Sequence, residues 1–338
     1  MKITLYSARP WDERFFEEAR LEGPGDDALE LVYQTSALTR QTTALAEGSE
    51  AVCVFVNDVL DAAVLESLAD MGVKAVVLRC AGFNNVDLIA AERLGLFVAR
   101  VPAYSPEAVA EHALALVMTL NRHTHRAFNR VREGNFALDG LLGVTLHGKT
   151  VGIVGTGRIG LATARIFKGL GCRVLGCDPF PAEDFETIGE LVDVDTLLTQ
   201  ADIVSLHCPL TDATHHLINE ASLLRMKPGA MLINTSRGAL IDTRAVIEAL
   251  KSRQLGALAI DVYEQESGLF FRDRSSEIIH DDVFSRLMTF PNVLVTGHQG
   301  FFTVEALREI AQVTLRNLRC LAHGTRCDNA LVPLHQHR

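Results

Sequence analysis

The stretch VGIVGTGRIG, residues 151–160, constrains this chain more than any other. A short apolar run ends at Gly155, Gly157 and Gly160 complete the spacing G-x-G-x-x-G, and a helical run, ATARIFKGLG, follows. The first glycine permits a tight turn, the second lets backbone approach a pyrophosphate, and the third allows a helix to pack closely on a strand. Arg158 and Ile159 fill the variable positions of the turn and are expected beside the same ligand. The next strand-like run, RVLGC, leads to Asp178, eighteen residues after Gly160. A carboxylate there can accept hydrogen bonds from an adenosine ribose and repels a 2′-phosphate, so NAD is favoured over NADP.

A second glycine motif is a chance match. GVTLHGKT, residues 143–150, fits the phosphate-loop spacing G-x-x-x-x-G-K-[ST]. That loop needs a strand before it and a helix after it, so that backbone N–H groups converge on phosphate. Here the order is reversed, because Thr150 leads into the strand VGIV.

The rest of the chain alternates in the same way. ITLY, LELVY, AVCVFV, KAVVLRC and LFVARV read as strands of a first parallel sheet, with AAVLESLADMG and VDLIAAERLG as helices between them. From residue 150 a second series begins: TVGIVG, RVLGCD, DIVSLHCP, AMLINTS, LGALAIDV and NVLVTGH. A hydrophobic fraction of 48% with only 6% aromatics suits two such aliphatic α/β cores. A helix starting at Pro106 runs on past Arg122, Arg126, Arg130 and Arg132; it is too long for a crossover and is expected to contact another subunit. A final amphipathic helix, TVEALREIAQVTLRNLRCLAHG, closes the series.

Composition narrows the function classes. A net charge of −10 argues against non-specific binding to nucleic acid or an acidic membrane. No run reaches the ~20 apolar residues of a membrane span, and MKITLYS reads as a strand rather than a signal peptide. Seven scattered cysteines without a C-x-x-C pair suit reduced thiols in a cytoplasm, not disulfides or a metal centre.

In a doubly wound sheet, ligands bind outside the carboxyl ends of the strands. AMLINTS gives way to Arg237, LGALAI to Asp261 with Glu264 and Glu266, and NVLVTG to His298. Hydride transfer from a nicotinamide to a ketone leaves negative charge on oxygen, which requires a proton donor. A histidine supplies the proton, and a carboxylate partner favours its imidazolium form. An arginine fork can hold a substrate carboxylate in bidentate fashion. Together these groups point to a small 2-oxo acid. Spacing alone does not choose between Glu264 and Glu266 as the partner of His298.

RCAGFNNVDL, VPAYSPEAVAEH, VGIVGTGRIG, LHCPLT, NTSRGALID, DVYE and TGHQGF stand in one order along nearly the whole chain. In that order they resemble the D-2-hydroxyacid dehydrogenase family, and within it the fermentative D-lactate branch. The resemblance implies two Rossmann/flavodoxin-like parallel-sheet domains, the nucleotide domain inserted into the substrate domain. The boundaries expected are 1–101 and 300–338 for the substrate domain, and 102–299 for the NAD domain.

The resemblance also implies roles. Arg237 binds and polarises the 2-oxo acid, His298 is the acid/base, and Glu266 rather than Glu264 is its partner. Cys80, Ala81, Gly82 and Phe83 offer backbone N–H groups to the substrate carboxylate, with Tyr104 nearby. Cys208, Pro209, Thr235 and Asp261 join the glycine turn in holding NADH, Asp261 near the nicotinamide carboxamide. Where the family usually has Pro-His, this chain has Gly297-His298, as lactate-type members can. The expected reaction is reversible reduction of pyruvate to D-lactate by a homodimer or homotetramer, without a metal. A bulkier branched-chain or aryl 2-oxo acid is the nearer alternative, and a non-enzymatic NAD-responsive binding protein the remote one.

Overall fold

The computed structural model describes residues 1–23 and 29–333. The end of the returning segment expected above, residues 334–338, lies outside the described residues. The chain divides into two compact units, Met1–Ser105 with Phe302–Arg338, and Pro106–Phe301.

The first unit opens with β1 (Lys2–Leu5), α1 (Pro10–Glu22), β2 (Glu30–Tyr33), β3 (Ala51–Val54), α2 (Ala62–Asp70), β4 (Ala75–Leu78), α3 (Leu88–Arg93) and β5 (Phe97–Ala99). Every residue of β3 and β4 is buried, as expected of central strands covered on both faces. The helices begin where the sequence supplies caps. Pro10 opens α1, while Asp61 and Asp87 accept the N–H groups of Val64 and Ala90 at the starts of α2 and α3.

The second unit contains α4 (Pro106–Arg122), α5 (Thr124–Arg132), β6 (Thr150–Val154), α6 (Arg158–Gly169), β7 (Arg173–Cys177), β8 (Glu190–Leu191), α7 (Val194–Gln200) and β9 (Ile203–Leu206). It continues through α8 (Glu220–Arg225), β10 (Ala230–Asn234), α9 (Thr243–Lys251), β11 (Leu255–Ile260), α10 (Asp282–Met288) and β12 (Val293–Val295). The chain then returns to the first unit with α11 (Val304–His323) and β13 (Ala330–Val332). There α11 is capped by Thr303, ended by Gly324 at φ 62°, and packed on α1 and β4.

The second sheet runs β12-β11-β10-β9-β6-β7-β8, with every pairing parallel. The chain builds outward from β6 in one direction and from β9 in the other. The crevice between β6 and β9 is therefore the topological switch point, where an open α/β sheet binds ligands. The first sheet runs β13-β5-β4-β3-β1-β2 and is not wholly parallel, because β13 pairs antiparallel with β5 at one edge. Three residues long, that strand carries too little periodicity to read from sequence.

The helix expected from Pro106 through the arginine-rich tail is two helices. His123 takes a left-handed conformation, φ 51°, that ends α4 and starts α5; histidine tolerates this region better than most side chains. The apolar face of α4, from Ala108 and Val109 through Leu116 to Leu120, is buried, and α4 packs on α6 and β11 within its own unit. By contrast, α5 has no buried residue, and Phe128, Val131, Phe136, Leu138 and Leu142 nearby are all exposed. The exposed apolar side chains are thus concentrated on α5 and the segment after it.

Candidate active site

The glycine turn between β6 and α6 has the shape its sequence demands. Gly155 sits at φ 90°, where a Cβ would collide with the backbone of His207 and Cys208, so the turns after β6 and β9 touch across the switch point. A Cβ on Gly160 would strike the Gly155 carbonyl, which explains the third glycine. At Gly157 a Cβ would meet nothing within 4 Å, leaving open space before the start of α6. Asp178, at the end of β7, accepts the Thr156 N–H at 2.7 Å and the Phe180 N–H at 2.8 Å. It is thereby fastened to the glycine turn, and a carboxylate with two such bonds keeps lone pairs for a diol.

Other groups along this rim fit a polar dinucleotide. The Thr156 and Thr235 hydroxyls are buried without a protein partner, as is His207 Nδ1. Buried polar atoms without partners are what a bound polar molecule satisfies. Burial pushes His207 down to about 4, so its ring is neutral, with Nε2 2.8 Å from the Ser205 hydroxyl. Burial pushes the Cys208 thiol up to about 11, making it an uncharged wall residue. Pro209 beside it is exposed. The Ser236 hydroxyl donates to the Cys208 carbonyl at 2.7 Å and ties the loop after β9 to the one after β10.

The carboxyl ends of β10, β11 and β12 are neighbours in the sheet, and they carry Arg237, Asp261 with Glu266, and His298 in turn. His298 Nδ1 lies 2.8 Å from Glu266 Oε1. A carboxylate only accepts, so the shared proton sits on Nδ1, leaving Nε2 as the nitrogen able to exchange a proton. The other oxygen of Glu266 accepts the Tyr263 N–H at 3.0 Å, which fixes the carboxylate. Glu264 is engaged elsewhere: His216 Nε2 stands 2.6 Å from Oε1, and the Thr243 hydroxyl donates to Oε2 at 2.9 Å. Arg237 Nη1 donates to the Ser236 carbonyl at 2.8 Å, one of five donors on its guanidinium.

Asp261 is the fastening point of the turn that carries His298. Its carboxylate, 1% exposed, receives the Thr296 hydroxyl at 2.5 Å, the Gln299 N–H at 2.9 Å, the Gly300 N–H at 2.8 Å and His112 Nε2 at 3.2 Å. Its carbonyl accepts the His298 N–H at 2.7 Å. These bonds hold His298 in a left-handed conformation, φ 56°, which a non-glycine residue adopts only when its surroundings over-determine it. Burial alone would raise the Asp261 carboxyl. The hydrogen bonds from His112, Thr296 and the Gln299 backbone outweigh it and hold the group below the usual carboxylate range.

Asp261→Asn is expected to lower stability at pH 7 by about 2–4 kcal/mol, because an amide cannot accept from all these donors. Since the folded value lies below the unfolded one, the aspartate's contribution is complete above the unfolded value of ~3.9. It is lost as pH falls through the folded value. Urea midpoints of the two proteins should therefore differ at pH 7 and begin to converge only as the pH falls below ~3.9; equal midpoints at pH 7 would remove Asp261 from this role.

The remaining expected site residues lie in the first unit. Cys80, Ala81, Gly82 and Phe83 form the loop after β4, with Arg100 donating to the Ala81 carbonyl at 2.7 Å and its guanidinium lying over the Phe83 ring. Tyr104 is half-buried just before α4. Phe302 packs edge-on against Trp11 in the same unit, ring centroids 5.0 Å apart.

His112, Thr296 and His216 went unread at the level of sequence. His112 is one polar residue within a helical apolar run, and only the fold brings it to Asp261, 149 positions away.

Residues 114–300 match the family model described as the NAD binding domain of D-isomer specific 2-hydroxyacid dehydrogenases. Over 332 residues the chain is 60% identical to 2-hydroxyacid dehydrogenase A of Aspergillus oryzae, covering 98% of this chain and 95% of that protein. It is 53% identical to D-lactate dehydrogenase of Escherichia coli, covering 98% of this chain and all of that one. The apo-structure of D-lactate dehydrogenase from E. coli superposes with a TM-score of 0.89 at 51% identity, over 98% of this chain and 100% of that chain. With a glycine turn built for NAD and relatives that match from end to end, the chain belongs to the D-isomer specific 2-hydroxyacid dehydrogenases.

Proposed function

We propose that the protein catalyses the reversible, NADH-dependent reduction of pyruvate to D-lactate. The observation that carries this reading is the His298–Glu266 pair at 2.8 Å, on the rim that also bears Arg237 and the glycine turn. Relatives named as D-lactate dehydrogenases support the substrate and its handedness. Bound NADH supplies the hydride. The Arg237 guanidinium holds the 2-oxo acid and draws charge towards the ketone oxygen. Glu266 fixes Nδ1–H of His298, so Nε2 is the nitrogen that delivers the proton as alkoxide charge develops. In the reverse direction neutral His298 takes that proton back. Asp261, beyond clamping the turn, has a place near the nicotinamide carboxamide in this proposal. The backbone N–H groups of residues 80–83 act on the substrate carboxylate, with Tyr104 beside it.

NADH oxidation measured with pyruvate, 2-oxoisocaproate and phenylpyruvate tests the reading. Pyruvate should give the highest kcat/KM. A preference for either larger acid would keep the mechanism and discard the substrate.

We also propose a homodimer or homotetramer, supported by the exposed apolar residues of α5 and of 136–142. Sedimentation equilibrium at micromolar concentration should give a multiple of 36.9 kDa, and a monomer would discard this. The seven cysteines, none joined in a disulfide among the described residues, support a cytoplasmic location. No helix among the described residues is long and apolar enough to cross a membrane.

A further inference from the structure

Two acids follow Asp261, and the mechanism uses only one of them. Glu264 lies where four pieces of the second unit converge. Its Oε1 meets His216 at 2.6 Å, from the loop after β9. Its Oε2 accepts the Thr243 hydroxyl at 2.9 Å, at the start of α9, where a negative charge also complements the helix dipole. Its own backbone lies directly against Gly238, the residue after Arg237: a Cβ at Gly238 would collide with the Tyr263 carbonyl carbon and the Glu264 nitrogen. Two residues further on, Glu266 reaches His298.

His216 is itself anchored. Its backbone, at φ 49°, donates to the Ala239 carbonyl at 2.9 Å within the turn that follows Arg237. The Asn219 amide donates to its carbonyl at 2.9 Å, and its ring stacks on His215 with centroids 4.0 Å apart. The side chains of Glu264 and His216 are 26% and 32% exposed. Glu264 therefore sits behind the turns that carry Arg237 and Glu266.

We infer that Glu264 and His216 form a positioning latch that sets the Arg237 turn against the Glu266 loop, and so aligns the substrate fork with the proton donor. Neither residue touches a reacting atom. The inference rests on the function proposed above and assigns Glu264 the part in it that spacing left open. Because alignment matters most at the transition state, the latch acts on kcat more than on NADH binding.

The test compares Glu264→Ala, Glu264→Gln, His216→Ala and the double alanine variant with wild type. It reads pyruvate kinetics, NADH affinity and the low-field proton NMR signal of the His298–Glu266 hydrogen bond, assigned by its loss in Glu266→Gln. Glu264→Ala should lower kcat about tenfold at unchanged NADH affinity, the scale expected of a sub-ångström misalignment. It should also weaken or abolish the proton signal. Glu264→Gln, whose carbonyl can accept from Thr243 while its NH2 donates to Nε2 of the other His216 tautomer, should restore most of both. His216→Ala removes the same contact from a more exposed position, and the double variant should be no worse than Glu264→Ala alone.

Wild-type kcat and an intact signal in Glu264→Ala would overturn the latch, as would equal losses in the alanine and glutamine variants. If wild type turns over no 2-oxo acid, the proposed function fails. The proton signal still decides the latch: retained in His216→Ala and Glu264→Ala it refutes the inference, and lost in both it supports it.

Discussion

Replacing His298 with glutamine is expected to lower kcat for pyruvate reduction by about 10³-fold while leaving NADH affinity within a few-fold of wild type. Positioned general acids contribute roughly 10²–10⁴, and glutamine keeps polarity near the imidazole's place without a proton to give. The proton is given only as alkoxide charge develops, so the loss should fall on kcat and kcat/KM together, the signature of an interaction made in the transition state. Steady-state kinetics with fluorescence titration of NADH reads both quantities. Turnover within tenfold of wild type would take the proton transfer away from His298.

The second large effect is at Arg237. Arg237→Lys keeps the charge and removes the planar fork, and kcat/KM for pyruvate should fall by about 10²–10³-fold, the scale of one lost donor to a developing oxyanion. KM should rise as well, because a point charge cannot hold a carboxylate in bidentate fashion. NADH affinity should be spared. A kcat/KM within threefold of wild type would mean that another cation binds the acid. The two replacements are expected to be non-additive, since both act on one ketone oxygen.

Much of this architecture was legible before any coordinates. Strand, glycine turn and helix around Gly155–Gly160 follow from local rules, because Gly155 and Gly160 answer steric demands that the structure shows, and Gly157 leaves open space before the helix. The rim positions of Arg237, Asp261 and His298 were readable because a parallel sheet puts all its carboxyl ends on one side.

What stayed hidden depended on contacts between distant segments. DVYEQES presents two acids; which one meets His298 is decided by the turn at Tyr263, whose N–H captures Glu266, and by His216, which captures Glu264. The break between α4 and α5 carries neither glycine nor proline, since His123 adopts the left-handed conformation itself. The helix after Pro106 read as a subunit contact because of its length, and sequence did not show that the apolar face of α4 packs on α6 and the sheet. Asp261 illustrates the same limit: its donors come from His112 on α4, 149 positions away, and from residues 296, 299 and 300 after β12, 35 to 39 positions away.

The central claim, that this rim reduces a 2-oxo acid with a proton from His298, meets its most direct test in product analysis. Wild type and His298→Gln would be incubated with pyruvate and limiting NADH, and the lactate formed separated by chiral chromatography. The account predicts one D-lactate for each NADH consumed by wild type, and almost none from the variant over the same interval. L-lactate, NADH loss without lactate, or equal D-lactate from the variant would contradict it.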